Sequence, residues 1–574
     1  MRMKMPTTFS AARRGVSRRR VIAASAGLLA LVRGGKPLAA PESSGPKLNQ
    51  LGFLPRAGKR FVLTVAPGDV AARPFTVETL KGKAVFRGRL DGQVHDVTAT
   101  AGEHVRTGDF SGLVAPGRYR VRVGQQVSSP FAVGQGVYAP LVRDAARAFH
   151  LIRANVALDD PVTGLKHAAG HLGEASLVVD GAPRDLTGGW YNAGDYGKWT
   201  HMAAISASLM MWLHELRPAR AKALKLDLPP TGSDLPDLLR QAKWGLEWLL
   251  KMQNPDGSVL HKIDSGGNLY AWGLPPEGDP HPRIVQPGGS LDAGVFVAVM
   301  SQAGRVFPGL DNDFARRCRL ATGSSFDWLE ANPGVVRDDP NYADPDPRQE
   351  VLWATCETVA ASNDAEAWAD RAAADLKALG VFPFFWPTPQ LLGAMSLARG
   401  PYRAAAATAR EVIIETAKAA ALHVAADPYG FTVQPEAYTW GSVELALNTA
   451  VLCLFAAELG EAPARDTAQR LLDYVLGCNA LGHGFVTGHG ERATRRPYHW
   501  TCRVWGIVMP GWASGGPNGG AAGADPRLKA LIDAGTPPAK CFVDACENDG
   551  SWASNEGQTS ENAALLLATG LLGL

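Results

Sequence analysis

The chain has 574 residues, 46% of them hydrophobic and 20% charged, which is the balance of a soluble globular protein. That length exceeds one ordinary hydrophobic core, so two or more domains are expected. The formal charge is +3, but nine cations and no acid fall within residues 1–40. Without them the remainder carries −6, which argues against nucleic acid or an anionic membrane as a partner.

In chain order, Ser17-Arg18-Arg19-Arg20-Val21-Ile22 has the pattern of a twin-arginine export signal. An apolar stretch from Val21 to Val32 follows, too short for a comfortable membrane span. Small residues Ala39 and Ala40 then suit cleavage, so residues 1–40 read as a signal peptide and the mature protein as periplasmic or secreted. The competing reading is a membrane-tethering helix.

Residues 46–136 read as a small β domain. Tyr119, Val121 and Val123 alternate with Arg118, Arg120 and Arg122, and Phe61-Val62-Leu63-Thr64-Val65 is a second strand-forming run. Ala66-Pro67-Gly68 and Ala115-Pro116-Gly117 mark turns, and a sandwich of about seven short strands is expected.

From 137 to 574 the period becomes helical. Leu235, Leu238, Leu239, Ala242, Leu246, Leu249 and Leu250 form one stripe, with Ser233 or Asp234 as the expected cap and Pro236 in the first turn. Similar runs fall near 140–155, 201–217, 291–306, 312–331, 349–361, 364–379, 387–399, 402–425, 441–459, 464–477 and 558–573. Twelve helices joined by long loops suit a toroid of paired helices. The seven cysteines are odd in number and scattered, so no disulfide framework is implied. Cys541 and Cys546 are close enough in sequence to pair, and burial as small apolar residues is the default for the rest.

Two segments carry chemistry. Gly188-Gly189-Trp190-Tyr191-Asn192-Ala193-Gly194-Asp195-Tyr196-Gly197-Lys198-Trp199 puts a carboxylate, Asp195, on a glycine-punctuated turn among aromatic rings. Rings cover the apolar faces of sugars, and a fixed carboxylate can activate a water. The competing reading is an Asx turn with aromatic packing. Trp552-Ala553-Ser554-Asn555-Glu556-Gly557-Gln558-Thr559-Ser560-Glu561-Asn562-Ala563 carries two further carboxyls, Glu556 and Glu561, near the start of the last helix. Inverting hydrolysis of a glycosidic bond needs a pair of carboxyls, one ionised to deprotonate water and one protonated to donate to the leaving oxygen, roughly 6.5–9.5 Å apart. Glu561 reads as a solvated helix residue.

The first segment resembles the catalytic-base motif of family 9 glycoside hydrolases, mostly cellulases, whose usual form is GGWYDAGDYGKY. The second resembles that family's C-terminal acid signature. Further matches are Gln253-Asn254-Pro255-Asp256-Gly257-Ser258-Val259-Leu260-His261-Lys262, Trp440-Gly441-Ser442, Leu472-Asp473-Tyr474-Val475-Leu476-Gly477 and Gly515-Gly516-Pro517-Asn518. The opening Lys47-Leu48-Asn49-Gln50-Leu51-Gly52-Phe53 is similar to the immunoglobulin-like module that often precedes the catalytic domain.

The resemblance implies a mainly α fold, an (α/α)6 barrel preceded by a small immunoglobulin-like β-sandwich. It also implies an inverting hydrolase of β-1,4-linked glucan with Asp195 as base and Glu556 as acid. Asn192 stands where the family carries an aspartate that helps hold the water; an amide can still hydrogen-bond the water but carries no charge. In Arg496-Pro497-Tyr498-His499-Trp500 the family reads PHHR, so Tyr498 and Trp500 replace a His and an Arg that grip sugar hydroxyls.

Trp190, Tyr191, His261, Trp440, Tyr498, His499, Trp500 and Trp552 are the expected sugar contacts, each with core packing as its competing reading. Asp544 and Asp549 compete as supporting aspartate. An exo-acting hydrolase of glucosamine oligosaccharides and a catalytically impaired carbohydrate-binding homologue are the alternative functions.

No cofactor is required. His167 and His171, spaced for one helix face, invite a metal, but Gly170 stands where the family often has cysteine, which disfavours zinc. The acidic loop from Asp338 to Asp346 has the hard oxygens of a structural calcium site, or is simply solvated.

Overall fold

The computed structural model describes residues 43–230, 232–266, 273–339, 341–342, 344–547 and 550–573. The expected signal peptide and Asp549 lie outside the described residues. No helix among the described residues is long and apolar enough to cross a membrane.

The N-terminal portion is a β-sandwich. Its strands are β1 (Gly52–Phe53), β2 (Arg60–Val65), β3 (Pro74–Thr79), β4 (Ala84–Arg89), β5 (His95–Asp96), β6 (His104–Asp109), β7 (Gly117–Val123), β8 (Gln126–Val127) and β9 (Phe131–Val133). One sheet runs β1-β9-β7-β3-β4 with β8 on β7, and the other runs β2-β6-β5. Nine strands replace the expected seven, the excess being two-residue pieces. In β7 the alternation is as read: Tyr119, Val121 and Val123 are buried between neighbours that are not. Phenylalanines join the sheets edge to face, Phe53 on Phe110 at 5.4 Å and Phe61 on Phe75 at 4.9 Å.

Twelve helices of ten or more residues follow among the described residues. They are α1 (Ala139–Leu151), α2 (Thr200–Leu216), α3 (Asp237–Met252), α4 (Ser290–Val306), α5 (Asn312–Ala331), α6 (Arg348–Ala360), α7 (Glu366–Leu379), α8 (Gln390–Arg399), α9 (Arg403–Ala426), α10 (Ser442–Glu458), α11 (Ala464–Val475) and α12 (Thr559–Gly573). The even-numbered helices form an inner ring. α2 packs on α4, α4 on α6, α6 on α8, α10 on α12 and α12 on α2, while α9 bridges α8 and α10. The odd-numbered ones pack outside them. The sequence distinguishes the two sets physically. α4, α10 and α12 are apolar and buried almost all round, whereas α1, α3 and α11 each carry one buried stripe. This is the (α/α)6 arrangement.

α3 begins later than its expected cap. Pro236 precedes its first residue, Asp237, and the Ser233 hydroxyl instead accepts from the Leu235 amide at 3.2 Å.

The sandwich docks on the barrel through buried polar groups. Lys47 pairs with Glu103 at 3.0 Å and donates to the Tyr429 hydroxyl at 3.0 Å, and Asn49 donates to Asp473 at 2.8 Å. The Gln50 amide bonds the Leu476 carbonyl. The segment Lys47 to Gln50 thus clasps the two portions together.

All seven thiols are buried. Cys541 does not face Cys546; its sulfur bonds the Thr536 carbonyl at 3.3 Å, and the neighbour of Cys546 is Cys502.

Candidate active site

The turn from Gly188 to Trp199 is held from beneath by Lys198. Its ammonium donates to the Leu186 and Gly188 carbonyls at 3.0 and 2.9 Å and pairs with Glu174 at 2.5 Å, both charged side chains being out of water. Burial pulls the Lys198 pKa down to about 8 even though Glu174 opposes the shift. Glu174 also holds Arg283 at 2.7 Å, and that guanidinium bonds the Tyr196 carbonyl at 2.6 Å. Lys198→Met would remove the donor to the Gly188 carbonyl, one of two donors to the Leu186 carbonyl and one of the two cations paired with buried Glu174. We expect it to lower unfolding free energy by about 3–5 kcal/mol, measured by urea denaturation followed by tryptophan fluorescence.

Asp195 closes an Asx turn, accepting the Gly197 amide at 2.9 Å. The competing sequence reading is therefore structurally true, but it occupies only one carboxylate oxygen. Burial raises the Asp195 pKa, and nearby Asp264 adds to this while Arg283 and Lys262 oppose it. One residue earlier, the Gly194 amide donates to Glu556 Oε1 at 3.0 Å. Only glycine fits at 194: a Cβ there would lie 2.6 Å from the Tyr498 carbonyl and 2.9 Å from Glu556 Oε1. Burial, followed by the charge of Asp195, pushes the Glu556 pKa up to about 8, and the Gly194 hydrogen bond pulls against them. The two carboxyls therefore share one site.

Asn192 is locked behind them. Its Oδ1 accepts from the Thr559 hydroxyl at 2.6 Å, and its Nδ2 donates to the Tyr342 hydroxyl at 3.3 Å. The Tyr342 hydroxyl donates to Gln558 Oε1 at 3.2 Å, and Gln558 Nε2 donates to Glu444 at 2.6 Å. Ser560 also donates to Glu444, at 2.7 Å. Burial lifts Glu444 to about 7. Glu561 is not solvated as expected. It is buried near Glu444, and both burial and that neighbour push its pKa well up. Sequence reasoning had no signal for Tyr342 or Glu444, which reach the site only through tertiary packing.

The eight expected sugar-contacting residues differ in exposure. Trp440 is 50% exposed and Trp552 is half-buried, while Tyr498 is buried and meets Trp552 edge on at 6.0 Å. The other five lie buried in the wall and core. Trp190 is 3% exposed and packs on Phe149 at 5.2 Å. Tyr191 bonds His171 at 2.7 Å. His261 bonds Asp292 at 2.8 Å. His499 is enclosed, with Nδ1 accepting from the Thr501 amide at 3.2 Å. Trp500 is 2% exposed and lies against Tyr191 and Tyr196. Trp500 therefore fills space at the position where the resembled family carries an Arg, and offers no open face for stacking.

The expected metal ligands are engaged elsewhere. His167 lies in a short strand and His171 starts a 3-10 turn at φ 52°, so they share no helix face. In the acidic loop, Asp339 accepts the Asn341 and Tyr342 amides and pairs with Lys262 at 2.5 Å, and Asp346 pairs with Arg348. His201, His261 and Asp292 bring donor atoms within 4.8 Å of one another. There, however, Asp292 is matched by His261, and the neighbouring Lys262 ammonium opposes a further cation. Asp544 accepts the Arg495 and Arg496 amides at 3.0 and 2.8 Å, so it ties a loop down.

The family model for glycosyl hydrolase family 9 matches residues 138–569, and the cellulase N-terminal ig-like domain matches residues 43–128. A cellodextrinase of Butyrivibrio fibrisolvens is 29% identical, over 87% of this chain and 94% of its own. A xyloglucan-specific endo-beta-1,4-glucanase of Bacteroides ovatus is 28% identical over 91% and 92%. The crystal structure of the family 9 endoglucanase J30 superposes with a TM-score of 0.84 at 31% identity, covering 91% of this chain and 99% of that one. Matched along most of its length in sequence and in fold, the chain belongs to glycosyl hydrolase family 9 and is a glycoside hydrolase.

Proposed function

We propose that this enzyme hydrolyses β-1,4-linked glucan or its oligosaccharides with inversion, Asp195 acting as base and Glu556 as acid. The supporting observation is the Gly194 amide, which holds Glu556 at 3.0 Å one residue from Asp195 and so brings a carboxyl from each end of the barrel sequence to one place. An ionised Asp195 takes a proton from water as that water attacks the anomeric carbon. Glu556, protonated at neutral pH, gives its proton to the departing glycosidic oxygen. Asn192 keeps one amide hydrogen beyond its bond to Tyr342, and that hydrogen orients the water. Trp440, Tyr498 and Trp552 line the sugar path. The relatives named cellodextrinase and endoglucanase favour glucan as substrate, and the twin-arginine pattern favours export.

A reducing-sugar assay on cello-oligosaccharides, mixed-linkage glucan, xyloglucan and chitosan oligomers tests the substrate class. Turnover is expected on the glucans; turnover confined to chitosan oligomers, or binding without turnover, contradicts the proposal. The pH profile of kcat should be a bell. Activity rises as Asp195 ionises, above its ordinary range because burial raises it, and falls as Glu556 loses its proton near pH 8. An alkaline limb near pH 5 would remove Glu556 from the acid role.

A further inference from the structure

Two thiols outside the catalytic pair lie where they can bond. Cys502, in the short helix Trp500–Trp505, has its sulfur 3.2 Å from that of Cys546, 44 positions away in sequence. The Arg496 guanidinium stands 3.8 Å from Cys546 Sγ. Both cysteines are buried, at 7% and 4% exposure.

The two segments they sit on are already tied together next to the acid. Asn555 donates through Nδ2 to the Arg496 carbonyl at 2.7 Å and the Ala545 carbonyl at 3.1 Å, and its own carbonyl accepts the Tyr498 amide at 3.4 Å. Asn555 immediately precedes Glu556. The Asp544 carboxylate bonds the Arg495 and Arg496 amides in the same seam.

We propose that Cys502 and Cys546 form a disulfide that staples the Arg495–Trp505 segment to the Asp544–Glu547 segment and so holds the backbone presenting Glu556. The oxidant is a small-molecule disulfide or the dithiol-oxidising machinery of an extracytoplasmic compartment. The Cys546 thiolate attacks the small disulfide, forms a mixed disulfide and expels one thiolate. Cys502 then gives up its proton and attacks the Cys546 sulfur, expelling the second. Two electrons pass to the small disulfide, which leaves as two thiols. The charge environment suits this order. Hydrogen bonds from Cys502 and Arg496 pull the Cys546 thiol down despite its burial, whereas Cys502 is pushed up by its hydrogen bond with Cys546. Cys541, whose sulfur turns to the Thr536 carbonyl, takes no part.

The test uses the full chain as purified, incubated with glutathione disulfide, then alkylated and peptide-mapped without reduction. The expected result is a linked Cys502–Cys546 peptide and a fall in thiols titrated after denaturation from seven to five. Reduction with dithiothreitol should lower Tm by about 5 °C, and this redox-dependent shift should vanish in Cys502→Ser and persist in Cys541→Ser. Seven titratable thiols after oxidation, Cys546 linked to any other cysteine, or a stable glutathione adduct on Cys546 would overturn the proposal. Mapping the unmodified chain needs no variant to fold and no activity to be present, so its outcome is independent of the catalytic assignment.

Discussion

Asp195→Asn should lower kcat on cello-oligosaccharides on the order of 10³-fold while leaving the fold intact. The amide oxygen can still accept the Gly197 amide, so the Asx turn and its neighbours keep their geometry. What is lost is the proton acceptor. An amide cannot take a proton from water at accessible pH, and a 10³-fold loss corresponds to about 4 kcal/mol of barrier. KM should change little, because the role proposed for Asp195 is toward the water rather than the sugar. Initial rates with circular dichroism as a folding control check this. A variant retaining more than a tenth of wild-type kcat would mean another group removes the proton.

Glu556→Gln should cost roughly 10²- to 10⁴-fold on unactivated glucans, and its signature lies in the leaving group. The amide keeps an oxygen to accept the Gly194 amide, so the variant stays seated. It has no proton to give. A substrate whose aglycone departs readily as a nitrophenolate needs no such proton and should be hydrolysed at nearly the wild-type rate. The alkaline limb of the pH profile near 8 should disappear together with the titrating group. Equal loss on both substrate types, with the limb retained, would assign the acid role elsewhere. Asp195 raises the pKa of Glu556, so Asp195→Asn should move that limb to lower pH in whatever activity remains.

Much of this arrangement is legible in the chain because local patterns and tertiary outcome agree. The 3.6-residue period of Leu238, Leu239, Ala242, Leu246 and Leu249 reports a real buried stripe on α3, and all five side chains are buried. The glycine-rich turn is legible because close backbone approach needs residues without a Cβ, as at Gly194. Composition is silent on facing. The letters Trp500 and Trp440 are identical, yet one ring is packed among Tyr191 and Tyr196 and the other stands half in solvent, a difference set by elements distant in sequence.

The same limit hid the relay from Asn192 through Tyr342 and Gln558 to Glu444, which joins four separate stretches of chain. It also hid Cys502 beside Cys546, where sequence proximity pointed to Cys541. For His167 and His171, an i, i+4 spacing suggested a helix. Instead a strand pair covers His167, and Gly170 lies tight against Pro276, where a Cβ would come within 2.4 Å.

The anomeric configuration of the first product tests the central arrangement most directly. Proton NMR of cellohexaose hydrolysis, recorded before mutarotation, should show the α-anomer of the newly formed reducing end, because in the proposed mechanism water activated by Asp195 attacks from the face opposite the oxygen that Glu556 protonates. A β-configured first product would mean a covalent sugar–enzyme intermediate, and with it a nucleophile in place of a base and a water between the two carboxyls.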